Sequence, residues 1–254
     1  MLNEEEARKL YSDGKYRNIV NQIKEDDLDA KLVEDAKLMD ILAWAQHQLG
    51  EYELAYQIFL GLTFLYSSDT EVGESSRRGA AHAVLQELGD VERADAFLQE
   101  IPDSMSKQNV RMNIFLIAAR KGIRIPFKKI ISMVLMAVNS FSGDVVNAHI
   151  VNNGGLALYE ARRHFKSKKL LLEITELLEV AFIMYNIAGA ADNHLAGLLY
   201  RISLVFETFG DSKRALQSLR KSVKIWRKLV SSQGGERYQN NLKNTISKME
   251  LLSK

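Results

Sequence analysis

This sequence predicts an all-α chain of stacked antiparallel helix pairs, and three observations carry the prediction. Apolar residues recur at helical spacing along nearly all of the 254 residues, with no strand-length alternation. Only two prolines occur, Pro102 and Pro126, as expected where helix interiors must exclude them. A glycine–small–large signature also repeats. "LGEYELAYQIF" places Gly50, Ala55 and Phe59; "LGDVERADAFL" places Gly89, Ala94 and Leu98; "FGDSKRALQSL" places Gly210, Ala215 and Leu219 at the same offsets.

The periodicity predicts helices at 3–13, 16–25, 29–49, 52–67, 71–88, 91–101, 104–121, 126–141, 144–164, 168–187, 189–209, 211–231 and 235–252. Ala36, Met39, Leu42, Ala43 and Leu49 form one apolar stripe, and Leu198, Ile202, Val205, Phe206 and Phe209 another. Ala215, Leu219, Val223 and Trp226 form a third. Gly14, Gly50, Gly89, Gly122 and Gly210 each follow such a run, where a left-handed residue ends a helix at least cost. Pro126 suits the first turn of the helix it opens.

The repeated offsets have a packing reason. Glycine ends the first helix, and Tyr16, Tyr52 or Val91 folds back over the turn. The small residue, Ala55, Ala94 or Ala215, lets the second helix approach the first, and Phe59, Leu98 or Leu219 fills the space against the next pair. One hairpin cannot bury both faces, so such units stack.

The three segments resemble the helix-turn-helix of tetratricopeptide repeats. "ARKLYSDGKYRNIVNQI" matches in weakened form, with Ile19 at the small position. "IVNNGGLALYEARRHF" and the stretch from Leu198 to Leu229 are more similar to the long repeats of kinesin light chains. Marker glycines are 36, 39 and 33 residues apart, then 88 from Gly122 to Gly210, a gap that must hold two units with its turn near "RRHFKSKK". The resemblance implies a single right-handed α-solenoid over 1–254, with about six pairs and a capping helix at 235–252.

It also implies that the first helix of each pair lines a concave groove holding a peptide or helix. With Gly155 and Ser203 as small core positions, groove residues are His149, Asn152, Asn153, Leu156, Tyr159 and Glu160, then Tyr200, Arg201, Leu204 and Glu207. In the N-terminal half they are Lys37, Asp40, Trp44, His47 and Gln48. The asparagine amides can hold an extended backbone without reading its side chains. Arg201 can pair with a carboxylate, and Trp44 can serve as an aromatic anchor. The alternative is that the asparagines bond within the helix layer and Trp44 belongs to the core.

Composition excludes much chemistry. With no cysteine there is no disulfide, thiolate metal site or cysteine nucleophile. No phosphate-loop pattern occurs, because "NNGGLALYE" is in helical phase and lacks the lysine. Glu160 and His164 share a helix face at metal-ligand spacing, but without further ligands nearby a solvated pair is the simpler reading. The expectation is a protein without enzymatic activity, metal or cofactor. The acidic start "MLNEEEARKLY" has no leader-like apolar segment, and no apolar run reaches membrane-spanning length, so a soluble, cytoplasmic protein is expected.

Charge is polarised. Residues 1–104 carry a net −12 and residues 105–254 a net +14. On the helix at 211–231, Lys213, Arg214, Arg220, Lys221, Lys224, Arg227 and Lys228 fall opposite the apolar stripe. That face is either an ordinary solvated one or, with "RRHFKSKK" and "RKGIRIPFKK", a polyanion or RNA surface. The function expected is capture of a protein or peptide partner, the alternative a polyanion-binding solenoid, in a monomer or weak homodimer.

Overall fold

The computed structural model describes residues 2–23, 35–163, 167–233 and 235–253. Among them, thirteen helices form and no strand. They are α1 (Glu4–Ser12), α2 (Tyr16–Gln22), α3 (Ala36–Gln48), α4 (Tyr52–Leu65), α5 (Glu71–Leu88), α6 (Val91–Gln99) and α7 (Met105–Arg120). Then follow α8 (Phe127–Asn139), α9 (Val145–Arg162), α10 (Lys168–Ile187), α11 (Asp192–Phe209), α12 (Ser212–Gln233) and α13 (Glu236–Leu252).

Local chemistry sets the starts. Asn3 caps α1 in a reciprocal box with Glu6, its Oδ1 accepting from the Glu6 N–H at 2.9 Å. The side chains of Asp35, Thr70, Asp90, Ser104 and Ser167 cap α3, α5, α6, α7 and α10 by accepting from the backbone N–H three residues on, without the reciprocal bond. The helix expected at 29–49 therefore begins, within the described residues, at Ala36 behind Asp35; residues 29–34 lie outside them. Pro126 stands at the N-cap of α8, one position before its expected place.

The turns explain the repeated glycines. Gly50 (φ 82°) and Gly210 (φ 83°) are left-handed, which any residue with a Cβ adopts only at a cost. Both turns close with the same bond from the next residue to the carbonyl five earlier: Glu51 N–H to Gln46 and Asp211 N–H to Phe206, each 2.9 Å. Gly14, Gly89 and Gly122 are left-handed as expected. Gly189 closes an equivalent turn that the sequence pattern did not single out, so α11 starts at Asp192, after a break expected to be helical.

The chain divides into two compact units, Met1–Lys121 and Gly122–Lys254. In the first, α1 packs on α2 and α3, α3 on α4 and α5, and α5 on α6 and α7. Each of α2, α4 and α6 also packs on the helix that follows it. In the second, α9 packs on α8, α10 and α11, α11 on α10 and α12, and α12 on α13.

The predicted core positions are enclosed: Ile19, Ala55, Phe59, Ala94, Leu98, Ala215 and Leu219 are all fully buried. Each large apolar side chain among them stabilises the fold by about 1.5–3 kcal/mol. Close approach is visible at Gly79 of α5, where an added Cβ would lie 2.3 Å from the Phe59 ring. Arg77 is buried too, donating to the carbonyls of Thr63, Tyr66 and Gly73 and pairing with Glu100 at 2.8 Å. It thereby satisfies carbonyls at the C-terminal end of α4 that no helical N–H reaches.

Candidate functional site

In the first unit a pocket of about 490 Å³ is lined by Arg8, Tyr11 and Ser12 of α1 and by Asp40, Ile41, Trp44 and Gln48 of α3. Side chains four residues apart on α3 share one face, which places Asp40, Trp44 and Gln48 in a row. Behind them α5 fixes the orientation. The Trp44 indole N–H donates to Ser75 Oγ at 3.0 Å, and the Ser75 hydroxyl donates to Asp40 Oδ2 at 2.7 Å. The Trp44 ring meets Phe59 edge-on at 5.1 Å, so the indole is half-buried and held from one side.

Asp40 Oδ1 is enclosed and makes no hydrogen bond. Burial raises the Asp40 carboxyl to about 6, against the opposing pull of Ser75 and of the Arg8 charge. Arg8 itself binds Glu4 at 2.8 Å and approaches Glu71 at 3.8 Å. Lys37, exposed beside them, reaches the same two carboxylates at 3.9 and 4.0 Å. Gln48 donates toward the Tyr11 hydroxyl at 3.5 Å across the pocket wall. His47 is turned away into a group of rings with Trp44, Tyr52 and His82, its two nitrogens enclosed without a hydrogen bond. Burial lowers His47, and it lowers His82 to about 4, with His47 adding to the effect.

In the second unit the expected groove residues lie mostly inside. Asn152 and Asn153 are 4% and 9% exposed, and the Asn152 amide donates to Asn153 Oδ1 at 2.9 Å. Leu156 is buried. Tyr159, also buried, bonds Thr208 Oγ1 at 2.8 Å and donates to the Leu204 carbonyl at 3.3 Å, joining α9 to α11. Glu160 pairs with Arg163, and Glu207 with Lys248 of α13 at 2.7 Å. Tyr200, Arg201 and Leu204 are half-buried on α11. His164 lies outside the described residues, so its pairing with Glu160 has no geometry here.

His149 belongs to a cluster that sequence reasoning missed. The hydroxyl of the buried Tyr185 of α10 shares a hydrogen bond with His149 Nδ1 at 2.6 Å, and His194 of α11 lies 4.8 Å from the His149 ring. Burial, with the nearby His194 and Arg201, lowers His149 to about 4. Burial likewise holds the Tyr185 hydroxyl well above its usual value. A neutral imidazole beside a protonated phenol is the arrangement both shifts favour.

No protein-family model matches the chain, and no curated protein does.

Among the described residues, no group of three or more His, Cys, Asp or Glu side chains is placed to share a metal ion. No helix there is long and apolar enough to cross a membrane. The basic residues expected on the helix after Gly210 stand on the outside of α12. Arg220, Lys221, Lys224, Arg227 and Lys228 are all exposed, opposite buried Ala215, Leu219, Val223 and Trp226. Arg8, Tyr11 and Ser12 were not singled out from the sequence. Their signal was the three- and four-residue spacing on a helix whose pair is the weakest repeat match.

Proposed function

We propose that this chain is a non-enzymatic protein-interaction module of the tetratricopeptide-like kind, a right-handed solenoid of helix pairs that captures a peptide or helix. The observation carrying the proposal is the pocket between α1 and α3, which are the first helices of their pairs. Trp44 supplies a rigid aromatic wall oriented by Ser75, and Gln48 and Tyr11 supply donors and acceptors at the rim. Asn152 and Asn153 take no part, since their amides are enclosed. A cytoplasmic setting belongs to the same proposal.

The test is selection of a random peptide library on the full chain, followed by titration of the selected peptides. Trp44 and Trp226 are the two tryptophans, so a Trp226→Phe background makes the emission report on the pocket alone. Bound peptide shifts that emission, and Ser12→Phe, which adds bulk to the pocket lining without a second indole, weakens binding by roughly 2 kcal/mol or about 30-fold. Selected peptides that leave Trp44 emission unchanged and bind Ser12→Phe equally well overturn the assignment.

A further inference from the structure

The 22-residue helix α12 has seven Lys or Arg residues and no Asp or Glu. Its apolar stripe is spent internally, against α11 and α13. Two of the cations are neutralised locally: Arg214 by Asp211 at 3.3 Å and Lys228 by Asp192 at 2.8 Å. Arg220, Lys221, Lys224 and Arg227 are exposed and have neither an ion pair nor a hydrogen bond. Arg220, Lys224 and Arg227 form a single row about 10 Å long, with Lys221 beside it. Like charges at this spacing repel one another, so the folded helix holds an unfavourable field that a polyanion would relieve. The surrounding unit reinforces it, with 20 basic and 10 acidic residues over positions 122–254.

We propose that this face of α12 docks a nucleic-acid duplex through its phosphate backbone, with Arg220, Lys221, Lys224 and Arg227 as the phosphate contacts. Three absences on α12 itself select that occupant. A protein partner needs an apolar centre to bury, yet among the described residues of this unit the exposed large apolar side chains lie on α8, α10 and α13, with none on α12. Unstacked single strands need aromatic platforms, and the one aromatic residue of α12, Trp226, is buried. Insertion into a membrane surface needs a free apolar helix face, which α12 lacks. A duplex requires none of these. It presents about one charge per 1.7 Å of axis, a density that four closely spaced cations match without reading a base. The two guanidinium groups add paired donors suited to phosphate oxygens.

The experiment is fluorescence anisotropy of the full chain with a labelled DNA duplex of about 20 base pairs and mixed sequence, at about 50 and 200 mM salt. Four phosphate contacts give a slope of log Kobs against log salt near −3.6, or about a 100-fold loss over that range. Replacing Arg220, Lys221, Lys224 and Arg227 together with Gln removes most of the binding and of the slope without lowering the melting temperature, since it relieves their mutual repulsion. Replacing the exposed Lys128, Lys168, Lys169 and Lys243 with Gln makes the same charge change elsewhere in the unit and keeps the binding. An RNA duplex competing as well as DNA supports recognition of the backbone alone. Trp44→Ala, which impairs the pocket of the first unit, leaves duplex binding intact, so this proposal and the peptide reading fail separately. The proposal is overturned if the duplex does not bind at low salt, or if both four-residue variants lose equal affinity. Tighter binding of a single strand, polyglutamate, anionic vesicles or a second copy of the chain overturns it as well.

Discussion

The Tyr185 hydroxyl and Nδ1 of His149 share a hydrogen bond of 2.6 Å, and this bond joins α10 to α9. Burial keeps the His149 ring neutral there. Its ordinary value of 6.5 is lowered to about 4, first by burial and then by the His194 and Arg201 charges. Between those two values the unfolded chain binds more protons than the folded one. Stability is therefore complete above about 6.5 and is lost as pH falls toward 4. We expect the melting temperature to fall across that window and the fall to be shallower in His149→Gln. Tyr185→Phe costs about 1 kcal/mol at neutral pH by removing this bond. Thermal melts of the three proteins against pH check this.

Asp40 runs the other way. Its carboxyl is raised from 3.8 to about 6, chiefly by burial, so the folded protein holds the extra proton in that window. Stability contributed by the protonated carboxyl is lost as pH rises through the window, and above it the enclosed charge is a standing cost. Asp40→Asn keeps an acceptor for Ser75 and removes the charge. We expect it to stabilise the chain by roughly 1–3 kcal/mol at neutral pH, with the gain shrinking toward pH 4. Urea midpoints at two pH values measure both.

Ser75 holds two pocket groups at once, accepting from Trp44 and donating to Asp40. Ser75→Ala leaves an indole N–H and a carboxylate oxygen without that partner, at a cost of about 1–3 kcal/mol. Trp44 emission, read in the Trp226→Phe background, should also broaden and shift as the ring loses its fixed position. Restoring the hydroxyl with Thr should recover both signals.

The helices were legible because each local cue agrees with the packing around it. Gly50, Ala55 and Phe59 specify a turn, a close approach and a filled space within ten residues, and all three stand where that logic puts them. The same cues worked for Gly210, Ala215 and Leu219. The polar interior was not legible. Arg77 reads as a surface arginine on a helix, yet its partners Thr63, Tyr66 and Glu100 come from distant chain segments. Asn152 and Asn153 sit on a first-helix face, and whether such a face is open or covered depends on neighbouring helices that the repeat signature does not encode. For Trp44 the face was open enough to line a pocket, although the Ser75 bond behind it, 31 residues away, left no trace in the local pattern.

Two helical glycines make the packing argument quantitative. A Cβ added at Gly79 would lie 2.3 to 2.5 Å from three atoms of the Phe59 ring, which is fully buried and has nowhere to turn. A Cβ added at Gly155 would lie 2.9 Å from a terminal methyl and 3.3 Å from Cγ of Leu178, a milder overlap with the end of a flexible, though fully buried, side chain. Both sites gain helix propensity from alanine, by up to about 1 kcal/mol, so the sign at each depends on how far the neighbour yields. We expect Gly79→Ala to destabilise by about 1–3 kcal/mol net, and Gly155→Ala to stay within about 1 kcal/mol of the parent. The ring can be relieved. Phe59→Leu alone leaves a cavity and costs about 1 kcal/mol or more, but combined with Gly79→Ala it should lose much less than the two single costs together. Denaturant midpoints for the double-mutant cycle decide it, and strictly additive costs would mean that α4 and α5 do not meet at this contact.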